Sequence, residues 1–395
     1  MVGSPISDGA VAVCGDRIVG VGSWREIRRR HPGNAIDLGD HALLPGLINA
    51  HCHLDYTGLR GAIPRERTFT DWVRAINGRK SQLTDDDYLA AISAGFAEAQ
   101  KFGTTSIVNI ESFPHLLRKI DAAPLRTWWC AEMIDVRGET SPSLIAQELK
   151  RDFAAHPEWN GGIGLSPHAP FTASPDLYRE AAVARCEGLV LTTHLAESRD
   201  ETEMFRDASG PLFDLMTEIG RSMDDCGRRT SVAAMMRLGV LDQNWIVAHL
   251  NELGDDDFRL LAASPKFHLA HCPRSHAFFG HAKFPLRRLR ELGFNICLGT
   301  DSLASNQSLS LFSEMRELQS REQPIAAREL LEMVTLNPAT ALGLEGALGS
   351  IQTGACADLI AVPLSADADA LYQAVVDFEG PVPWLMVAGE VLTRS

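Results

Sequence analysis

Short apolar runs recur along the chain and alternate with stretches of helical periodicity. The runs have the length of strands and are nearly continuous in hydrophobicity, which indicates strands that are buried on both faces. Strands of this kind belong to a parallel sheet that is covered by helices. Eight candidate strands lie at residues 47–53, 105–111, 125–134, 162–170, 189–197, 245–252, 266–275 and 294–302.

Two of the intervening stretches carry the helical pattern most clearly. Residues 85–103, "DDDYLAAISAGFAEAQKFG", and residues 176–188, "DLYREAAVARCEG", have apolar positions spaced for one face of a helix. Gly103 and Gly188 lie just past these stretches, where a helix is expected to end. Eight repeats of a strand and a covering helix predict an α/β fold of the closed (β/α)₈, or TIM, barrel type.

The two ends of the chain follow another pattern. Residues 9–24, 358–364 and 381–394 form short apolar runs with Gly and Pro turns, and no helix is expected between them. This pattern predicts antiparallel sheet. We therefore expect two domains: a small β-sandwich domain from residues 1–46 and 346–395, and a (β/α)₈ barrel domain from residues 47–345.

Composition narrows the class of protein. The 395 residues carry a net charge of −14, which argues against nucleic acid and anionic membranes as partners. No apolar stretch approaches the length of a membrane span, and the N-terminus lacks the pattern of a secretion signal. The eight cysteines are scattered singly, without a C-x-x-C pair. We expect a cytoplasmic protein with free thiols.

Polar residues follow five of the predicted strands at their C-terminal ends. Any one of them has an ordinary structural explanation, but in a barrel these ends converge on one mouth. Histidines two apart on a strand also share a face. Three histidines and a carboxylate suit zinc or iron. The residues concerned are His51 and His53, His168, His194 and Glu197, His249, and Asp301.

Four motifs in this order carry a family resemblance: "HCH" at 51–53, "HLAE" at 194–197, "VAHL" at 247–250 and "GTDS" at 299–302. Together they resemble the amidohydrolase superfamily. The phrases "SPHAPFT", "HCPRSH" and "GTDSLASNQSLSLFSEMR" are similar to its subgroup of nucleobase and nucleoside deaminases and chlorohydrolases. The resemblance implies a hydrolase acting on non-peptide C–N bonds, which releases ammonia from an aminated purine nucleoside or a similar heterocycle.

The resemblance also implies roles for the residues at the mouth. One divalent metal ion is expected rather than two, because the fourth strand ends in "SPHAP" without a bridging lysine and Glu132 is a weak candidate bridge. Zinc is favoured over iron(II) as that ion. The implied metal ligands are His51, His53, His194 and Asp301. The implied catalytic residues are Glu197 as proton shuttle, His249 as the group that orients the attacking hydroxide, and Asp301 as acceptor of the water's proton. His168 is expected to face the substrate.

The substrate is less clearly indicated. An arginine past a strand end could hold a substrate carboxylate, and the candidates are Arg60, Arg137 and Arg274. The phrases "HLDYTGLRG", "HLAES" and "CPRSHAFFGHAKFPL" resemble aminodeoxyfutalosine deaminases of menaquinone synthesis. The resemblance implies a substrate with a benzoate group, which an arginine near the mouth would suit. Relatives that deaminate adenosine-type nucleosides often bind ribose hydroxyls with an acidic residue in the segment matching residues 71–84. This chain has no carboxylate there after Asp71, which argues against plain adenosine-like ribose recognition.

Three alternatives stay open at this point. The same machinery could act on a C–Cl bond or on a cyclic amide, and product analysis would separate these reactions. A non-catalytic barrel scaffold is a further alternative, although such a protein would be expected to have lost ligands. A metal-storage role leaves Glu197 and His249 without a purpose. The partner we expect is a small heterocyclic molecule, and a homodimer is the commonest assembly for a protein of this kind.

Overall fold

The strands of the protein form three sheets. The computed structural model describes residues 3–136, 138–185, 188–322, 324–364 and 370–394. In chain order the strands are β1 Gly9–Cys14, β2 Arg17–Ser23, β3 His41–Pro45, β4 Leu47–His53, β5 Thr104–Glu111, β6 Arg126–Met133, β7 Gly161–Pro167, β8 Val190–Leu195, β9 Trp245–His249, β10 His268–His271, β11 Asn295–Leu298, β12 Asp301–Ser302, β13 Leu359–Pro363, β14 Trp384–Val387 and β15 Glu390–Arg394.

Most helices connect the strands of the largest sheet. Two 3₁₀ segments, Leu54–Leu59 and Pro114–Lys119, follow β4 and β5 directly. The α-helices are α1 Trp24–Arg30, α2 Phe69–Lys80, α3 Asp85–Lys101, α4 Pro142–Ala154, α5 Pro175–Ala184, α6 Arg199–Asp207, α7 Pro211–Glu218, α8 Ser231–Leu238, α9 Asp255–Ala263, α10 Pro273–Phe279, α11 Leu286–Glu291, α12 Leu311–Arg321, α13 Ala327–Glu332, α14 Leu336–Ala341 and α15 Leu371–Val376.

The largest sheet is a closed parallel barrel. Its strands run in the order β11-β10-β9-β8-β7-β6-β5-β4-β12. The eighth candidate strand is split into β11, which pairs with β10, and β12, which pairs with β4 through Asp301 opposite Cys52. The first and last strands of the barrel therefore meet. The predicted (β/α)₈ barrel is confirmed.

Two strand ends differ from the sequence prediction for identifiable reasons. The candidate strand 266–275 ends at His271, because Pro273 occupies the first turn of α10 and cannot donate to a ladder. The candidate strand 294–302 is interrupted at Gly299, where a Cβ would lie 2.7 Å from the carbonyl oxygen of His51. The backbones of the first and eighth strands approach closely only because Gly299 has no side chain.

Helix α3 shows how local sequence sets the outer layer. Thr84 and Asp87 form a capping box at its start. The helix ends at Lys101 with Phe102 as its C-cap, and Gly103 follows with φ +81°, as the sequence predicts. The second predicted helix, α5, ends at Ala184, four residues before the expected stop at Gly188.

The chain ends form two antiparallel sheets beside the barrel. One sheet is β1-β2 and the other is β15-β14-β13-β3, so both ends of the chain contribute, as predicted. Ile18, Leu359 and Trp384 belong to one buried apolar cluster that the two sheets share. The domain boundaries at residues 46 and 346 remain a prediction.

The expectation of no helix between the terminal strands is wrong. Helix α1 lies between β2 and β3, and α15 lies between β13 and β14. Ser23 and Glu26 form a capping box at the start of α1. This Ser-x-x-Glu spacing was a usable signal in the sequence, but the charged residues of "WREIRRR" leave Ile27 as the only buried residue of the helix.

No helix within the described ranges combines the length and the apolar character that a bilayer crossing requires.

Candidate metal centre and active site

Two imidazoles of β4 stand at the centre of the barrel mouth. His51 and His53 are both buried, and their ring centroids lie 5.0 Å apart. Side chains two residues apart point to the same face of a strand, so the strand itself brings both rings to one side. Parallel pairing of β4 with β5 and β12 fixes its position in the barrel.

A third imidazole comes from β8. The rings of His194 and His51 lie 4.9 Å apart, and one nitrogen from each of His51, His53 and His194 falls within 4.8 Å of the others. His194 uses Nδ1–H to donate to the carbonyl oxygen of His168 at 2.8 Å. This bond orients the ring and leaves Nε2 free as a ligand atom.

The three imidazoles fit a metal ion. Both ring nitrogens of His51 and Nδ1 of His53 are buried, and they have no hydrogen-bond partner within the described part of the chain. Buried polar atoms without partners are rare and call for an explanation such as a bound ion. Burial lowers the pKa of His53 to about 4 and that of His51 well below its ordinary value. Both rings are therefore neutral, which is the form that binds metals.

Asp301 completes this donor set. Its Oδ1 lies 3.8 Å from Nε2 of His51 and 3.7 Å from Nε2 of His53. Ser275 donates to Oδ2 at 2.6 Å, and the Ser302 amide donates to Oδ1 at 2.8 Å. Burial alone would raise the pKa of Asp301, but the neighbouring histidines hold it below its ordinary value. Asp301 is thus an oriented carboxylate.

Glu197 and His249 form a pair beside Asp301. Oε1 of Glu197 lies 3.7 Å from Nε2 of His249, and one ligand atom from each of these three residues falls within 4.8 Å of the others. Burial, with a contribution from Asp301, raises the pKa of Glu197 well above its ordinary value. This shift favours the protonated carboxyl group of Glu197, which is the form that can donate a proton.

The loop that carries Glu197 is held by its own polar contacts. The carboxylate of Glu201 accepts hydrogen bonds from the Ala196 amide at 2.9 Å and from the Glu197 amide at 3.0 Å. Asn251 donates to the Glu197 carbonyl oxygen at 3.1 Å. These contacts fix the backbone on both sides of the shuttle residue. Sequence reasoning missed Glu201 and Asn251, although both follow strand ends within "HLAESRDE" and "VAHLN".

His168 lies at the rim of the same group. Its ring centroid is 5.0 Å from that of His194, and its Nδ1 lies 2.6 Å from Oγ1 of Thr172. Its Nε2 lies 3.9 Å from Oε1 of Glu132. Burial raises the pKa of Glu132, but His168 and Lys80 outweigh it and lower that pKa to about 2. Glu132 faces His168, and sequence reasoning considered it only as a metal bridge.

Two of the candidate arginines form hydrogen bonds with other residues of this chain. Arg60 pairs with Glu98 and donates to the Gln307 carbonyl oxygen at 3.0 Å. Arg274 donates to Oγ of Ser308 at 2.9 Å. Arg137 lies outside the described residues. A substrate contact for any of the three remains a prediction.

Comparison with known proteins decides the family. A model of the amidohydrolase family matches residues 42–392. This chain belongs to the amidohydrolase family. Residues 9–33 also match an imidazolonepropionase-like composite domain of bacteria. The predicted superfamily and the predicted class, a hydrolase of non-peptide C–N bonds, are confirmed.

Several of the similar proteins are named as deaminases. The chain is 30% identical over 379 residues to 5-methylthioadenosine/S-adenosylhomocysteine deaminase of Moorella thermoacetica, which covers 92% of this chain and 83% of that protein. An adenosine deaminase from Xanthomonas campestris with bound zinc has a TM-score of 0.82 at 25% identity, covering 98% of this chain and 89% of that one. Aminofutalosine deaminase of Helicobacter pylori with methylthio-coformycin, at 20% identity, shares the fold with a TM-score of 0.84 over 98% of this chain and 95% of that one. The zinc-bound relative and the histidine-rich site support a divalent metal in this protein.

Proposed function

We propose that this protein is a metal-dependent deaminase that replaces the amino group of an adenine-type nucleoside by oxygen and releases ammonia. One observation carries the proposal. A buried carboxyl group, Glu197, whose pKa burial raises well above its ordinary value, lies beside Asp301 and His249. The same mouth holds the three clustered imidazoles of His51, His53 and His194, and within the described residues both ring nitrogens of His51 and Nδ1 of His53 have no hydrogen-bond partner. This arrangement combines a metal site with a proton donor, as hydrolytic removal of an amino group requires.

The predicted ligands are the residues we assign to the metal. His51, His53, His194 and Asp301 would hold a single divalent ion, and we propose zinc rather than iron(II), because three imidazoles and a carboxylate with room for water suit zinc. When bound, the ion would lower the pKa of a water molecule enough to provide hydroxide near neutral pH.

The protein's own groups would handle the protons. Asp301 would accept the proton that the attacking water loses. Glu197 would hold its proton against the ring nitrogen, on which negative charge develops, and would later deliver a proton to the departing amino group, because ammonia is a far better leaving group than amide ion. His249, 3.7 Å from Glu197, would orient the attacking oxygen.

Location and assembly follow as proposals. The seven cysteines within the described residues are free thiols, and free thiols accord with a reducing cytoplasm. A homodimer remains our expectation for the assembly.

A screen for ammonia release tests the proposed function. Zinc-loaded protein would be incubated with adenosine, 5′-methylthioadenosine, S-adenosylhomocysteine, 5′-deoxyadenosine and aminodeoxyfutalosine. We expect at least one compound to be turned over with kcat/KM above ~10⁴ M⁻¹s⁻¹, the ordinary range for a physiological substrate. Absence of ammonia from every nucleoside by metal-replete protein would refute the proposal. A chlorinated triazine, assayed for chloride, would test the chlorohydrolase alternative in the same experiment.

A further inference from the structure

Glu132 is a buried carboxylate at the barrel mouth that the proposed chemistry does not use. It lies at the C-terminal end of β6, and only 9% of its side chain is exposed. Among the histidines of the mouth, the structure pairs it with His168. A buried carboxylate needs hydrogen-bond donors at both of its oxygens. The groups that face each oxygen therefore indicate the role of Glu132.

One oxygen of Glu132 is satisfied by a chain of donors that all point the same way. Lys80 donates to the hydroxyl of Tyr56, and that hydroxyl lies 2.7 Å from Oγ of Ser112. Ser112 in turn donates to Oε2 of Glu132 at 2.9 Å. Because an ammonium group only donates, the direction of the whole chain is fixed from Lys80 towards Glu132. Oε2 is thereby used, and the carboxylate is oriented.

The other oxygen faces a second polar atom across a gap. Oε1 of Glu132 and Nε2 of His168 lie 3.9 Å apart, which is too far for a direct hydrogen bond. The Thr172 hydroxyl donates to the Ala169 carbonyl oxygen at 3.3 Å, so it accepts from Nδ1–H of His168. Nε2 of His168, which is turned towards Glu132, is then an acceptor. Within the described part of the chain, no hydrogen bond reaches either Oε1 or Nε2. Two neighbouring acceptors at a mouth are suited to a ligand that offers two neighbouring donors.

We propose that Glu132 and His168 together bind a vicinal diol, the 2′- and 3′-hydroxyls of a ribose attached to the ring that is deaminated. The inference rests on the proposed function. The reacting amino group and the adjacent ring nitrogen of the substrate must lie at Glu197 and Asp301. The remaining O–H donors common to these nucleosides are the sugar hydroxyls. Oε1 of Glu132 accepts one hydroxyl and Nε2 of His168 accepts the other.

This placement revises an expectation from the sequence. Residues 71–84 carry no carboxylate after Asp71, which argued against ribose recognition. The structure brings a carboxylate to the mouth from another strand, β6. Lys80, which belongs to the segment without a carboxylate, supports Glu132 through Tyr56 and Ser112 instead of contacting the sugar.

The test compares substrates with and without the hydroxyls in the wild-type protein and in Glu132→Gln. Initial rates of ammonia release would be measured for a nucleoside that the wild type accepts and for its 2′-deoxy and 2′,3′-dideoxy forms. A hydrogen bond to a charged group is worth about 1.5–3 kcal/mol, so we expect the wild type to favour the diol by ~10–100-fold in kcat/KM, mainly through KM. In E132Q this preference should fall below ~5-fold, while the rate on the dideoxy substrate stays close to that of the wild type.

Two further variants keep the result interpretable. Glu158, in a loop before β7 with 60% of its side chain exposed, provides the matched control E158Q, which should keep the full preference for the diol. Ser112→Ala removes the donor to Oε2 while leaving the carboxylate in place, and it should lower the preference only in part. If E132Q does not fold, as judged by circular dichroism and metal content, the wild-type preference and Ser112→Ala carry the test.

Failure of this inference is distinct from failure of the proposed function. If the wild type deaminates nucleosides but is indifferent to the hydroxyls, the diol assignment is wrong and the deaminase proposal stands. An equal loss on all substrates in E132Q would make Glu132 a structural or chemical residue and would also overturn the assignment. If no nucleoside releases ammonia, the proposed function itself has failed.

Discussion

Non-glycine residues in the left-handed region of backbone space cluster where strands give way to the site. Ala196 has φ +50°, His249 +78°, Leu250 +50° and Asp301 +58°. Such conformations cost free energy for residues with a side chain, and they persist only where surrounding contacts impose them. At Ala196 and Leu250 these contacts include amide hydrogen bonds, to Glu201 and to the Leu195 carbonyl oxygen. Two of the residues in this conformation, Asp301 and His249, belong to the group of side chains at the mouth.

Replacing Glu197 by Gln should remove the proton shuttle without removing the metal. Gln has nearly the same shape but cannot carry a transferable proton, so we expect kcat to fall by ~10²–10⁴-fold. Ammonia release gives the rate, and elemental analysis should find the same metal content as in the wild type. Glu148, whose side chain is 60% exposed, provides the control E148Q, with unchanged activity. A fall of less than ~5-fold in E197Q would rule out the shuttle role.

The sequence predicted which residues lie at the barrel mouth, but it did not predict the side chains that they contact. The histidines and Asp301 could be predicted because each follows an apolar strand, and strand ends of a barrel converge. The pairing of Arg60 with Glu98 could not, since Glu98 is on a helix and nothing in the local pattern links the two residues. The residues around Glu132 come from four separate segments, so no local pattern could link them to it. They are Lys80, Tyr56, Ser112 and His168.

At the level of elements, the ligand strand β4 depends on the helix that packs behind it. The 3₁₀ segment Leu54–Leu59 follows His53 at once and lies against α3. The contact is close because Gly95 of α3 has no side chain. A Cβ there would lie 2.6 Å from Oγ1 of Thr57 and 2.8 Å from Cδ2 of Leu54.

Gly95→Ala should therefore destabilise the protein, although alanine is the better helix former. Overpacking of a buried contact costs ~1–3 kcal/mol, which exceeds the helical gain of ~1 kcal/mol. Gly78 in α2 is the matched control, because a Cβ at that position has no heavy atom within 4 Å, and Gly78→Ala should be neutral or stabilising. Urea unfolding followed by circular dichroism measures both variants. Equal stability changes in the two would contradict the packing argument.

Elements with strong periodicity were predictable, and those defined by a few residues were not. The eight barrel strands and α3 have patterns long enough to identify. Helices α1 and α15 have seven and six residues, and only one or two of these in each are buried, so tertiary contact decides their conformation. Strand β10 ends early because Pro273 begins the next helix, and the pattern of apolar residues alone does not predict this end.

On the scale of the whole molecule, a buried ion pair joins the barrel to the antiparallel sheets. Arg126 of β6 donates from Nε and Nη2 to the two oxygens of Asp358, at 2.8 and 3.2 Å. The two side chains are only 12% and 5% exposed. Asp358 also accepts from the Ala388 amide at 2.7 Å. One carboxylate thus holds together segments from the barrel and from the end of the chain.

Removing Arg126 should leave Asp358 buried without its countercharge. We expect Arg126→Met to lower the free energy of unfolding by ~3–5 kcal/mol. The exposed pair Arg179–Asp176 offers a control, and Arg179→Met should cost less than ~1 kcal/mol. Chemical denaturation of both variants would decide the matter. A loss in Arg126→Met no larger than in the control would show that the pair does not couple the two parts.

Metal removal should be visible in stability as well as in activity. An ion that binds only the folded state adds RT ln(1 + [L]/Kd), so chelation should lower the free energy of unfolding by ~3 kcal/mol or more for a tightly held ion. Thermal unfolding before and after chelation measures the change, and added zinc should restore the original Tm. In His194→Ala chelator should have much less effect. A Tm insensitive to chelator in metal-replete wild type would count against the ligand assignment.

Strand β3 has a consequence for how the protein is made. Residues His41–Pro45 lead directly into β4, but they pair with Leu359–Pro363, which the ribosome adds only after the whole barrel segment between them. Until then the nascent chain displays an apolar strand without its neighbour, and such species are prone to aggregation. The pairing of β3 therefore has to wait until β13 has been made, and slow synthesis of the segment between them would prolong dependence on chaperones.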